Sequence, residues 1–146
     1  MNLIKVHRIS HFLYNKKIPI LPRLFRFIIF LLYNSDIPSS VRIGKNTVFG
    51  HSGIGVVIHQ DAVIGDDCTI GQGITIGGRS KNPKVPIIGN KVYIAAGARV
   101  LGPITIGDNV VVAPNAVVIE NVPSNSIVGG IPSKILKSNI LVEDFV

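Results

Sequence analysis

The stretch FGHSGIG, Phe49 to Gly55, places one imidazole among three glycines. Histidine exchanges a proton readily near neutral pH and is the usual general base for a hydroxyl. Gly50, Gly53 and Gly55 let a ligand approach the backbone closely. His51 also fits a surface position in a tolerant loop, and the residues alone leave both readings open. Asp36 lies fifteen residues earlier. A carboxylate there can hold the imidazole in one tautomer and stabilise the imidazolium formed on proton abstraction. Asp36 also fits the end of a preceding helix, although Asp serves better at a helix start.

The remaining reactive side chains carry less. His59 follows an aliphatic position and reads as a corner residue. Together with His51 it falls one imidazole short of a three-histidine zinc site, so no metal is expected. Cys68 occupies a small, inward position and reads as inert core. His7 and His11 are one helical turn apart in a basic segment and read as helix-face residues.

These residues must be positioned by an unusually periodic chain. Every sixth residue from Ile58 gives Ile58, Ile64, Ile70, Ile76, Asn82, Ile88, Ile94, Val100, Ile106, Val112 and Val118, aliphatic everywhere except Asn82. The next residue is usually small, and a second small or aliphatic residue follows four positions after each Ile or Val. A period of six matches neither an α-helix nor an alternating strand. It is the pattern of a hexapeptide β-helix, in which each repeat forms one flat side of a triangular coil. The fold class expected is therefore mainly β, a left-handed parallel β-helix with two short N-terminal α-helices. Ile or Val points inward, the fifth position stays small because the interior is narrow, and Gly accepts the corner backbone angles. Three repeats close one coil. Fifteen residues are five-sixths of that turn, which lets Asp36 and His51 meet on successive coils.

Two departures break the rhythm. The step from Phe49 to Ile58 is nine residues, three more than the repeat allows. The second is the stretch GGRSKNPKVP, Gly77 to Pro86, which lacks an inward apolar residue where one is due. It reads as a six-residue excursion from the coil. Insertions on a rigid solenoid commonly carry function.

The basic charge is concentrated ahead of the repeats. Six of the chain's cations and no acid precede Asp36, so most of the net charge of +7 lies there. Residues 3–14 and 21–34 show helical spacing, with a turn at NKKIP and Pro22 suited to a first turn. The apolar run Leu24 to Tyr33 contains Arg26 and is too short for a span of roughly 20 residues. No small-residue cleavage site follows it. The segment reads as helices covering one end of the coil. Contact with the inner membrane leaflet is the minor alternative, and no nucleic-acid partner is expected. The division expected is 1–35 helical, 36–137 β-helix and 138–146 tail, in a cytoplasmic protein with a single cysteine and no disulfide framework.

The runs HSGIGVVIHQDAVIGDDCTIGQGITIGG and VYIAAGARVLGPITIGDNVVVAPNAVV, with NVPSNSIVGGIPSKIL after them, resemble serine O-acetyltransferase and related hexapeptide acyltransferases over roughly Asp36 to Lys137. The resemblance implies that His51 is the general base and Asp36 its partner. It implies a homotrimer with active sites shared between subunits, and acetyl-CoA lying between adjacent β-helices. The cosubstrate is then expected against Gly78, Ala96 and Pro114, with Lys134 meeting its phosphates. It further implies direct transfer with no metal or covalent enzyme intermediate.

Three departures from the family bear on the acceptor. Only about 35 residues precede the coil, where serine acetyltransferases carry a long helical domain. Gly50 stands where the family has an acid. The loop RSKNPKVP lacks the Arg-His pair that helps bind the amino acid's carboxylate, leaving Arg79, Lys81 and Lys84 as its cations. Gly50, Arg79 and Lys81 are therefore the expected acceptor-side residues. On those differences the leading expectation is an acetyl-CoA-dependent O-acetyltransferase with a carbohydrate acceptor, in surface polysaccharide biosynthesis. Serine acetylation is the first alternative, followed by amino-sugar N-acetylation and a non-catalytic trimeric scaffold.

Overall fold

In the computed structural model, which describes residues 2–145, the chain forms two helices and a parallel coil. Helix α1 spans Leu3–Asn15 and α2 spans Leu21–Tyr33, with Pro22 in the first turn of α2. Twelve short strands follow: β1 (Arg42–Ile43), β2 (Val48–Phe49), β3 (Val57–Ile58), β4 (Val63–Ile64), β5 (Thr69–Ile70), β6 (Thr75–Gly77), β7 (Ile87–Ile88), β8 (Tyr93–Ile94), β9 (Arg99–Leu101), β10 (Thr105–Ile106), β11 (Val111–Val112) and β12 (Val117–Val118). Every third strand stacks on the last. The first face is β1-β4-β7-β10, the second begins β2-β5-β8-β11, and the third is β3-β6-β9-β12. The coil is a left-handed β-helix.

Register confirms both irregularities. Tyr93 pairs with Val111 and Val57 with Thr75, a turn of eighteen residues. Val48 pairs with Thr69, which absorbs the three extra residues. Thr69 pairs with Tyr93, which absorbs six more. Each insertion leaves the coil at a corner, so the inward residues stay aligned and Ile58, Ile64, Ile70, Ile76, Ile88, Ile94 and Ile106 are buried.

The corner glycines serve a purpose other than the one expected. Gly44, Gly65, Gly89 and Gly107 have no positive φ. A Cβ on Gly65 would instead sit 2.6 Å from the carbonyl carbon of Gly89 in the next coil. The left-handed corner position lies two residues further on and is filled by Asn46, Asp67, Lys91 and Asn109. Close stacking of backbones, rather than φ, selects glycine there.

The helices cover the start of the coil. Leu3, Ile4, Val6, Ile29 and Tyr33 join the same buried cluster as the coil's aliphatic residues. The buried His7 places Nε2 3.2 Å from the Val41 carbonyl, and Arg8 donates to the Gly44 carbonyl at 3.0 Å. His7 is thus a tie between helix and coil, not a helix-face residue. No helix among the described residues is long and apolar enough to cross a membrane.

At the other end β13 (Ser126–Gly130) continues the second face, and β14 (Ser133–Ser138) folds back antiparallel against it. The tail then crosses that face, where Ile140 and Val142 pack with Val111, Tyr93 and Ile127. Asn109 fastens it, donating to the Ile140 carbonyl at 2.7 Å and accepting from the Val142 N–H at 2.7 Å.

Candidate active site

His51 lies where the second face turns into the third, in the tight turn Gly50–Gly53. The backbone there is left-handed at three consecutive residues: φ is +46° at His51, +60° at Ser52 and +75° at Gly53. Each non-glycine residue held so costs on the order of 1–2 kcal/mol. The three inserted residues are thus spent on a tight outward loop whose imidazole is exposed. Among the described residues, that ring makes no hydrogen bond.

The loop is held from the helical side. Gly53 packs so tightly that a Cβ would lie 2.9 Å from Leu3 Cδ1 and 3.2 Å from Phe49 Cδ1. The Ser35 hydroxyl, fully buried, lies 2.6 Å from the Gly53 carbonyl and accepts from the Val56 N–H at 3.0 Å. The Gly55 N–H donates to the Tyr33 carbonyl at 3.2 Å. Nothing in the sequence reading pointed to Ser35, because a lone serine after a helix has no pattern.

Asp36 sits on the third face opposite Val57, with its N–H bonded to the Val56 carbonyl and its carbonyl to the Ile58 N–H. Its backbone therefore joins the strand that the His51 loop feeds. Its carboxylate receives both bonds of a bidentate pair from Arg26, at 2.6 and 2.8 Å. Among the described residues there is no His51–Asp36 hydrogen bond.

Below His51 the same edge continues through successive coils. Gly71, Ala95 and Ala113 stack there, linked by the Gly71 N–H to the Ile94 carbonyl and the Ala95 N–H to the Val112 carbonyl. Ala96 and Pro114 follow on this edge, and the Asn115 N–H bonds the Ala96 carbonyl at 2.9 Å. Lys134, exposed on β14, pairs with Gly129 at the far end. Five strand spacings separate the two ends, roughly 24 Å. The edge thus gathers Gly50, His51, Ala96, Pro114 and Lys134 into one narrow track.

Gly78, Arg79 and Lys81 fall elsewhere. Their loop leaves after β6, at the edge between the third and first faces, with residues 78–84 exposed. The Arg79 side chain lies beside Gly102, where a Cβ would be 3.3 Å from Arg79 Cβ. One chain therefore carries the His51 loop and the excursion on different edges. A cavity of about 680 Å³ between α2 and the first coil, lined in part by Lys17, Arg23, Arg26, Ser39 and Gln60, includes no residue of the His51 loop.

Two minor candidates are settled locally. The Asp61 N–H donates to His59 Nδ1 at 3.2 Å, which makes His59 a corner cap. Cys68 is buried, its thiol donates to the Gly89 carbonyl at 3.2 Å, and burial pushes its pKa up, so it stays protonated and inert.

Residues 86–120 match the bacterial transferase hexapeptide (six repeats) family. The chain is 40% identical over 140 residues to a serine acetyltransferase of Synechococcus elongatus, covering 94% of this chain and 57% of that protein. With the serine acetyltransferase of Staphylococcus xylosus it shares 44% over 135 residues, 91% of this chain and 62% of the relative. It is a hexapeptide-repeat protein similar to serine acetyltransferases. The serine acetyltransferase structure of Brucella abortus superposes with a TM-score of 0.90 at 30% identity, covering 95% of this chain and 57% of that one. The same enzyme in complex with coenzyme A also gives 0.90, over 94% and 56%. The chain spans about three fifths of the length of the curated relatives it matches.

These likenesses correct the expected acceptor. The carbohydrate reading rested on the short segment ahead of the coil, on Gly50 and on the missing Arg-His pair, yet the similar proteins are serine acetyltransferases in both sequence and structure. These three differences do not outweigh agreement over nine tenths of the chain.

Proposed function

We propose that the chain is an acetyl-CoA-dependent acetyltransferase whose acceptor is the serine hydroxyl. One observation carries the reading. A fixed histidine loop heads an edge track in a chain 40–44% identical to serine acetyltransferases. Bound acetyl-CoA supplies the activated acetyl thioester. His51 removes the serine proton as the oxygen attacks, then returns it to the departing sulfur. Asp36 holds the imidazole through the oxygen lone pairs that Arg26 leaves open.

Ala96 and Pro114 present backbone along the track, and Lys134 meets the phosphate end of the cosubstrate, with Gly78 as a further contact. Arg79 and Lys81 take the serine carboxylate, and Gly50 leaves room beside His51. Because the excursion and the His51 loop leave from different edges, a side-by-side homotrimer completes the site by bringing one copy's loop toward another's histidine. The division into residues 1–35, 36–137 and 138–146 separates cap, catalytic coil and tail. Peripheral contact with an anionic membrane surface is a further part of the reading. It is supported by six cations without an acid before Asp36 and by exposed Leu24, Phe27 and Leu31.

Incubation of the protein with acetyl-CoA and L-serine tests the main reading, with free coenzyme A and O-acetylserine both quantified. Equal formation of the two is expected. Coenzyme A release without O-acetylserine overturns the acceptor, and no release at all overturns the activity.

A further inference from the structure

The geometry points to Ser35 as a positioning residue for His51, an inference that rests on the serine acetyltransferase reading. The His51 loop departs from the coil through three left-handed residues. Its own closing bond is weak, from the Ile54 N–H to the His51 carbonyl at 3.4 Å. A loop with so little internal support needs an external template. Ser35 supplies one with a single hydroxyl. The hydroxyl hydrogen goes to the Gly53 carbonyl at 2.6 Å, the shorter of two acceptors, the other being the Tyr33 carbonyl at 3.0 Å. The oxygen accepts from the Val56 N–H at 3.0 Å. Gly53 and Val56 bracket the exit of the loop, so the hydroxyl fixes where the inserted residues rejoin the coil.

The position in the chain sharpens the role. Ser35 immediately precedes Asp36, whose backbone bonds flank Val57. One dipeptide therefore sets both the exit of the histidine loop and the origin of the carboxylate. The serine is fully buried, so water cannot replace its bonds. Loss of the hydroxyl leaves the Gly53 carbonyl and Val56 N–H without this partner and frees the loop to move. Ala96 and Pro114 lie on other coils and keep their places.

Ser35→Ala and Ser35→Thr test the assignment in the full-length protein. Ser35→Ala is expected to lower kcat about ten- to a hundredfold, the scale of a small misplacement of a catalytic group. KM for acetyl-CoA should stay within about twofold, since the track does not depend on Ser35. Ser35→Thr, which keeps the hydroxyl, should recover most of kcat. NMR of the ¹⁵N-labelled histidines supplies a readout independent of turnover, with the His51 ring signals moved or broadened in Ser35→Ala and restored in Ser35→Thr. An unchanged kcat, or kcat and KM failing together, overturns the inference. Should the unmodified protein not acetylate serine, the functional reading fails on its own. Unmoved His51 signals in Ser35→Ala then overturn the positioning role separately.

Discussion

Arg26 of α2 grips both carboxylate oxygens of Asp36 at 2.6 and 2.8 Å. The pair joins the helical cap to the residue proposed to hold the catalytic imidazole. With side chains 45% and 41% exposed, it is solvated enough to contribute little to stability. Arg26→Gln is expected to change the unfolding free energy by less than about 1 kcal/mol in urea denaturation. Asp36→Asn, by contrast, should lower kcat about tenfold or more, because an amide does not stabilise the imidazolium. Full activity in Asp36→Asn would remove Asp36 from the mechanism.

His51→Ala should lower kcat by about 10²- to 10⁴-fold, the range for loss of a general base. Coenzyme A affinity, measured by calorimetry, should remain, since the track at Ala96 and Pro114 is untouched. Near-wild-type turnover in this variant contradicts the proposed chemistry.

The buried His7 makes stability depend on pH. Burial and the nearby His11 and Arg8 lower its pKa from 6.5 to about 4, and among the described residues Nδ1 has no hydrogen-bond partner. Between those values the unfolded chain takes up a proton that the folded chain refuses. Stability is therefore fully present above about pH 6.5 and falls as pH drops toward 4, by about 3 kcal/mol in total. Urea unfolding at pH 4 to 7 should show this slope, and His7→Gln should flatten it.

Gly65→Ala tests the stacking of the corners. Its Cβ would strike the Gly89 backbone, which cannot move aside without parting two coils. A loss of roughly 3 kcal/mol or more in unfolding free energy is expected, beyond the ordinary range for a point change. Asn109→Gly is the contrast for backbone angle, since φ there is +57° and glycine adopts it freely. This variant should keep the fold, although it also gives up the bonds to Ile140 and Val142.

The coil was readable from the sequence because a six-residue beat of Ile and Val can serve only a structure that repeats every six residues. The two insertions were legible for the same reason: an interrupted period marks its own interruption. What stayed hidden depends on contacts between distant segments. Ser35 acts on Gly53, Arg26 on Asp36 and His7 on Val41, and no periodicity links any of these pairs. The carbohydrate expectation arose because the short segment ahead of the coil, Gly50 and the loop RSKNPKVP were weighed without relatives to show how much else agrees.

Stacked parallel strands leave open hydrogen-bonding edges at both ends, and such edges invite indefinite growth. Here α1 and α2 seal one end, while the reversed strand β14 closes the second face at the other. The reversal at β14 breaks the parallel order of that face, so a further copy stacked there would not meet the pairing pattern that the coil repeats.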